Sequence, residues 1–432
     1  MDDASGLAPK AAADRAIAGA HGPAPTRDAC LARIERVDPQ AYARSRNHLE
    51  GAVTGLSPWI SHGVVTLREV AQALARRHRL EVQHKLVFEL GWRAYFRHVW
   101  EHRGEAILGS IHPGPLPDAA YRKSLPADLR RGACGVPAID QAIRTLYRTG
   151  LLHNHARMWL ASHVVHMRRV HWRAGADWMI GHLLDGDLAS NHLSWQWVAG
   201  TASRKPYLFN ADNVARYAPR DWWSPGSVID RSYAELAEVA HGALPAAMPP
   251  EASGGVDEPA CAYPPFIAGL QTPTLGAEAS ASAASPCSFT ARLAGLRNCA
   301  IWLLHPWGLR LPPAHAQGKP WLVLGCLPSE AMQQHAWSSR RIRWVIEAMQ
   351  MHTRDVGQAS LQDLAGLIDP SCTLGTWADG HINPFLPARI ARHAEVPLFP
   401  PVPRRCDSFS RWWTVVTRGV NSLEELLDLN NA

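Results

Sequence analysis

Between Leu183 and Trp197 the chain reads LLDGDLASNHLSWQW, which sets two aspartates, an asparagine and a histidine among apolar side chains and ends on two tryptophans. A buried carboxylate is costly unless a cation or several hydrogen-bond donors answer it. The preceding segment, LLHNHARMWLASHVVHM, offers such donors: Asn154, Arg157 and Met158 lie at i, i+3 and i+4, positions that share one face of a helix. Arg157 can bond Asp185, and Asp185 or Asp187, flanking Gly186, can cap the helix that follows. Two readings stay open: a capped helix with one buried Arg–Asp pair, or a polar wall that holds a planar ligand. Upstream, TGLSPWISHGVVTLREV joins a turn of Thr54, Gly55, Leu56 and Ser57 to a helix start, where N–H groups and hydroxyls suit phosphates as well as simple capping. ELGWRAYFRHVW repeats Glu89, Trp92, Arg93 and Arg97 at helical spacing, a face of mixed chemistry that an ordinary amphipathic helix would also present.

These groups need a scaffold, and the apolar periodicity from Pro25 to about Tyr217 is helical throughout, with no sustained alternation. The pattern predicts helices over 27–37, 66–80, 83–102, 137–149, 153–170, 174–183 and 188–199. Residues 1–26 read as a loose tail. Residues 244–290 are rich in Pro, Ala, Gly and Ser and read as a linker. Beyond it, the apolar runs at 299–304 and 321–327 read as buried strands and SSRRIRWVIEAMQMHTRDV as an amphipathic helix, so 291–432 is expected to be a small, separately packed α/β domain. The expected fold class is mainly α: an all-helical domain over 27–243 followed by that smaller α/β unit.

Composition narrows the function. A chain of 432 residues with 47% hydrophobic content and no long apolar run is expected to be a globular protein of the cytoplasm, with no membrane span and no signal segment. Its eight cysteines include no CxxC, so neither a metal site nor a disulfide scaffold is expected. A formal charge of +6 suits a phosphate-rich partner. Tryptophan, at 18 residues, exceeds phenylalanine and tyrosine at 8 each, which points to indoles with a chemical task.

Taken in order, YARSRN (42–47), TGLSPWISHGVVTLRE (54–69), ELGWRAYFRHV (89–99), GVPAIDQAIRTLYRTGLLHNHARM (135–158), DGDLASNHLSWQWVAGT (185–201) and KPYLFN (205–210) resemble the flavin-binding domain of the DNA photolyase and cryptochrome family. The resemblance covers about half the chain. It implies FAD as cofactor, with Tyr42 and the Thr54, Gly55, Leu56, Ser57 turn at its phosphates, Arg93, Asn154 and Arg157 around it, Arg157 paired with Asp185, Asp187 supporting it and Asn191 facing flavin N5. It implies Trp195 and then Trp172 as an electron-transfer chain; the family's third, surface tryptophan has no counterpart here, and Tyr121 is the candidate terminal donor, with Trp159 and Trp178 as other routes. Glu89, Trp92, Asn154, Met158 and Trp197 fall where cyclobutane-dimer photolyases contact a flipped lesion, whereas (6-4) enzymes place His at the positions of Asn154 and Met158. The implied activity is therefore that of a deoxyribodipyrimidine photo-lyase, a blue-light DNA-repair flavoprotein. Its partner would be DNA containing pyrimidine dimers, with no membrane or metal and a monomeric chain. The alternative is a cryptochrome-like photosensor. The family's usual N-terminal antenna domain is replaced here by about 25 residues, and the C-terminal α/β region is its candidate displaced counterpart, an unrelated appendage being the other reading.

Overall fold

A computed structural model describes residues 22–245, 254–263, 293–313 and 320–429. Helices occupy the first half: α1 (Arg27–Glu35), α2 (Pro39–Ser45), α3 (Ser57–Ser61), α4 (Leu67–Ala75), α5 (Lys85–Arg103), α6 (Pro137–Thr149), α7 (Asn154–Ser162), α8 (Trp172–His182), α9 (Leu188–Ala199), α10 (Ala211–Tyr217) and α11 (Tyr233–Ala240). Local chemistry fixes their ends. Thr66 and Glu69 close a reciprocal cap at the start of α4, and left-handed Gly150 and Gly200 end α6 and α9. The expected 153–170 helix divides at 162: a π-turn over His163–Met167 follows α7.

After residue 293 a five-stranded parallel sheet runs in the order β5 (Val356–Ala359), β3 (Trp321–Pro328), β2 (Ala300–Leu304), β6 (Thr373–Trp377), β7 (Ile390–His393). Helices α12 (Ser339–Gln350) and α13 (Leu361–Leu367) lie between its strands in the chain, and α14 (Phe409–Val416) and α15 (Leu423–Asp428) follow it. Every residue of β2 is buried, as a strand paired in parallel on both sides and covered on both faces must be. The strand order turns outward in both directions from β2, so β2 and β6 flank the switch point of the sheet.

The two halves are distinct in sequence but not in their cores. One buried apolar cluster joins Ile34, Leu74 and Val87 of the early helices to Trp302, Val345 and Leu426 of the α/β region. A second cluster, containing Ile143, Trp159, Trp195 and Val239, belongs to the middle helices. The expectation of a separately packed α/β unit is therefore corrected: its core is continuous with that of α1, α4 and α5. Two other expectations meet packed chain. In the 1–26 tail, Trp344 and Trp59 donate their indole N–H groups to the carbonyls of Pro23 and Ala24. In the 244–290 stretch, β1 (Cys261–Ala262) pairs antiparallel with β4 (Trp337–Ser338). The remainder of those two segments lies outside the described residues, apart from the chain next to each packed piece. No described helix is long and apolar enough to cross a membrane.

Candidate functional site

The DGD turn between α8 and α9 is the centre of a buried ionic network. Asp185 accepts two hydrogen bonds from Nη2 of Arg157, at 2.9 and 2.8 Å, and the Arg157 side chain is also tied to the Leu152 carbonyl through Nε. Asp187 caps α9 by accepting from the Ser190 N–H at 2.8 Å, bonds Arg97 and lies 3.6 Å from Arg93. Burial alone would raise both carboxyl pKa values; the neighbouring guanidinium groups win, and both are held below the usual carboxylate range.

The α/β region closes the turn from behind. Arg341 of α12 lies where a Gly186 side chain would be, since a Cβ there would come within 2.5 Å of its Nη1. Its guanidinium donates to the Ile180 and Gly186 carbonyls and stacks over Trp337, 3.6 Å from the ring centre. Burial lowers its pKa to about 9, against the pull of Asp185 and Asp187. From the loop after β6, Asp379 accepts from Arg97 at 3.0 Å and bonds His381, whose Nε2 accepts from the Leu188 N–H at 3.4 Å. The loop after β2 docks on the end of α3: His62 meets the Pro306 and Leu184 carbonyls through its two nitrogens, and Gly63, at φ +62°, lets the Trp307 carbonyl approach where a side chain would collide. The carboxyl ends of β2 and β6, where parallel sheets commonly hold ligands, thus face this turn.

The predicted residues fall into three places. The Thr54–Ser57 turn joins the network, with the Ser57 hydroxyl bonding Asp185, buried Leu56 beside it, and Gly55 at φ +65° packed on Arg33, which grips the Thr54 carbonyl at 2.6 Å. Arg93 donates to Ser61 Oγ. Asn191 is buried and donates to the Ala176 carbonyl at 2.9 Å. The second place is the outer face. There Asn154 Nδ2 meets Met158 Sδ at 3.5 Å, Trp197 is 38% exposed and tilted on Tyr207, and Glu89, 3.6 Å from Arg46, has its pKa raised by burial against the opposing pull of Arg46. Tyr42 belongs here, its pKa raised by burial and then by Glu89. Trp92 presents only one free face, because Phe409 of α14 stacks on the other at 4.0 Å. Third, Trp195 packs flat against Gly175, where a Cβ would meet its ring at 2.3 Å. Trp172 donates to Ser110 Oγ, and Trp172 and Tyr121 line one small cavity beside His171. Trp159 and Trp178 are engaged with Asn213 and Glu258 instead.

Residues 86–270 match the FAD binding domain of DNA photolyase. Over those residues the chain is similar to a photolyase-family FAD-binding domain. It is 30% identical over 211 residues to a deoxyribodipyrimidine photo-lyase of a Synechococcus species, covering 44% of this chain and 43% of that protein. It is 33% identical over 210 residues to a cryptochrome DASH of Ostreococcus tauri, covering 46% and 37%. A solved cryptochrome of a Synechocystis species aligns at 27% identity and a TM-score of 0.40, covering 45% of this chain and 43% of that one. The chain therefore spans less than half the length of these relatives.

FAD is the cofactor of the photolyase-family domain, and the residues present fit it. Ser190 Oγ is buried without a hydrogen-bond partner beside Asp187, α3 begins with no side chain capping its N–H groups, and Arg93, Arg97 and Arg157 converge on the same turn. Arg33, Arg341, Asp379 and His381 were not singled out by sequence reasoning. Arg33 sits in a helix with no marked apolar face, and the other three lie more than 150 residues beyond the turn they support, with no spacing to connect them to it.

Proposed function

We propose that this chain repairs cyclobutane pyrimidine dimers in DNA under blue light, as a deoxyribodipyrimidine photo-lyase. The observation that carries this reading is the division of α7. Arg157 turns inward to Asp185, while Asn154 and Met158, in contact with each other one turn apart, floor the adjoining outer face. One helix thus serves a cofactor wall and a lesion floor. When bound, FAD supplies light absorption and the electron that splits the dimer, which is recovered at the end of the cycle. Arg157, anchored by Asp185, places a fixed positive charge beside the cofactor. Asp187 and Asn191 shape the wall of its pocket.

On the outer face, Trp197 and Trp92 supply aromatic surface to a flipped pyrimidine dimer. Glu89, held beside Arg46, is placed to hydrogen-bond a base edge. Trp195, backed by Gly175, followed by Trp172 and Tyr121, forms the route by which the protein recharges its cofactor. Arg and Lys at the rim hold backbone phosphates, which makes binding salt-dependent. The test is illumination of purified protein with oligonucleotides bearing one cyclobutane dimer or one (6-4) product. Loss of the cyclobutane dimer alone is expected; repair of the (6-4) product alone would overturn the argument from Asn154 and Met158. A second reading, a light sensor without repair, is favoured by Phe409, which narrows the lesion face at Trp92. A protein that holds FAD and photoreduces it but repairs neither lesion would establish that reading.

A further inference from the structure

We propose that Asp177, His192 and His335 form a binding site for a divalent transition-metal ion, with Zn²⁺ the best match. The three residues come from α8, α9 and the loop before β4, so the ion would clasp the helical half to the α/β region. Their ligand atoms all lie within 4.8 Å of one another. Asp177 Oδ1 is 2.9 Å from His192 Nε2 and 3.8 Å from His335 Nδ1. A tetrahedral zinc with bonds of about 2.0–2.1 Å holds its ligands about 3.3 Å apart, and the separations here bracket that value. Two imidazoles and one carboxylate are a donor set that zinc accepts with a further position left open. Asp177 and His335 also line a cavity of about 630 Å³, which leaves room for water or a small anion at that position.

His192 is fully buried, with its Nε2 turned to the Asp177 carboxylate and its Nδ1 3.5 Å from Asn191 Nδ2. An ion between Asp177 and His192 would take the place of the proton that otherwise joins them. Arg173 also bonds both oxygens of Asp177, at 2.7 Å, but does so from its own helix and reaches neither histidine in any described bond.

The neighbouring group of Cys261, His182 and Glu258 has the composition of a nucleophile, base and orienting acid, but not the geometry. The sulfur lies 3.5 Å from His182 Nδ1 and 3.9 Å from Nε2. Distances that similar place it over the ring rather than along a nitrogen lone pair. Burial also raises the thiol pKa to about 12.

The test uses the full chain, stripped with a chelator and titrated with ZnCl₂ against a chromogenic competitor, then with CoCl₂ while its visible spectrum is recorded. One Zn²⁺ per chain is expected. His335→Ala should weaken binding at least about 100-fold, since losing a ligand costs no less than losing its supporting shell, while FAD released on denaturation is unchanged. His335→Cys should retain the ion and add a sulfur-to-cobalt charge-transfer band, which a purely structural role for His335 would not produce. Glu258→Gln, in the same cavity, should bind as the wild type does. Absence of Zn²⁺ binding in the wild type, equal binding in wild type and His335→Ala, or loss of binding in Glu258→Gln would each overturn the assignment.

Discussion

Asp185 and Asp187 are separated by a single glycine and are held in opposite directions. Asp185 pairs with Arg157, a residue of the same helical half that resembles known flavin pockets. Asp187 pairs with Arg97, which continues to Asp379 and His381 beyond the carboxyl end of β6. On the proposed reading the first pair serves the flavin pocket, while the second ties the DGD turn to the rest of the fold. Adjacent, equally buried carboxylates can therefore differ in what fails when each is removed.

The largest contrast is expected between Asp187→Ala and Asp185→Ala. Removing one partner of a buried ion pair leaves the other charge uncompensated, at a cost of about 3–5 kcal/mol. For Asp187 this cost should appear in urea denaturation as lost stability, because Arg93 loses its nearest carboxylate and Arg97 is left with Asp379, across the junction. For Asp185 it should appear first as lost FAD, because Arg157 loses the carboxylate that holds it beside the proposed pocket. Identical losses of stability with FAD retained in both would end the distinction.

Acidification tests the same contrast without substitution. Asp185, Asp187 and Asp379 have depressed pKa values in the folded protein, so the stability they contribute is present above their unfolded value, near 4, and is lost as pH falls below it. His62, at the β2 loop, is lowered to about 3, chiefly by burial and then by Arg341. The unfolded chain therefore takes up a proton below about 6.5 that the folded chain refuses, and stability should already decline between pH 6.5 and 4. The midpoint of urea unfolding should fall across that range, and His62→Gln should make the decline shallower, the other buried histidines such as His163 and His305 accounting for the rest.

Smaller effects separate the interior of the pocket from its outer face. Gly175→Ala places a methyl group against Trp195, a collision worth about 1–3 kcal/mol of overpacking. Photoreduction under blue light should slow while repair by chemically pre-reduced protein persists. At the outer face, stacking is worth about 1–3 kcal/mol per base, so Trp197→Ala should reduce discrimination for dimer-containing DNA by about tenfold with FAD content unchanged. Unaltered discrimination would remove Trp197 from the lesion face.

The sequence carries the helical half well because its signals are local. Asn154, Arg157 and Met158 share a face by spacing alone, Asp187 reads as a cap, and the predicted bounds of α6 and α9 match the structure. Strands β2 and β3 are legible as continuous apolar runs. Strands β5, β6 and β7 escaped notice, since VGQA and IARH carry no alternation and TLGTW is short and interrupted by Gly375. The support of the DGD turn escaped for a different reason. Arg341, Asp379 and His381 acquire meaning only through contacts closed over more than 150 residues, His335 likewise lies far along the chain from Asp177 and His192, and no periodicity records such contacts.

The shared core sets an order of assembly during synthesis. Helices α1, α4 and α5 leave the ribosome first, yet Arg68 of α4 waits for the Leu427 carbonyl, Gly91 of α5 for the ring of Trp413, and the Pro23 carbonyl for Trp344. The middle helices depend on such partners less, because most of their apolar cluster closes between Leu129 and Val239, with only one face of α8 and α9 reaching the other core. A nascent chain should therefore bury its middle before its beginning, keeping the apolar faces of α1, α4 and α5 accessible until the last strands emerge. In ribosome-arrested chains of increasing length, protease protection is expected over 129–239 first and over 27–103 only once α15 has cleared the exit tunnel; simultaneous protection of both would refute that order.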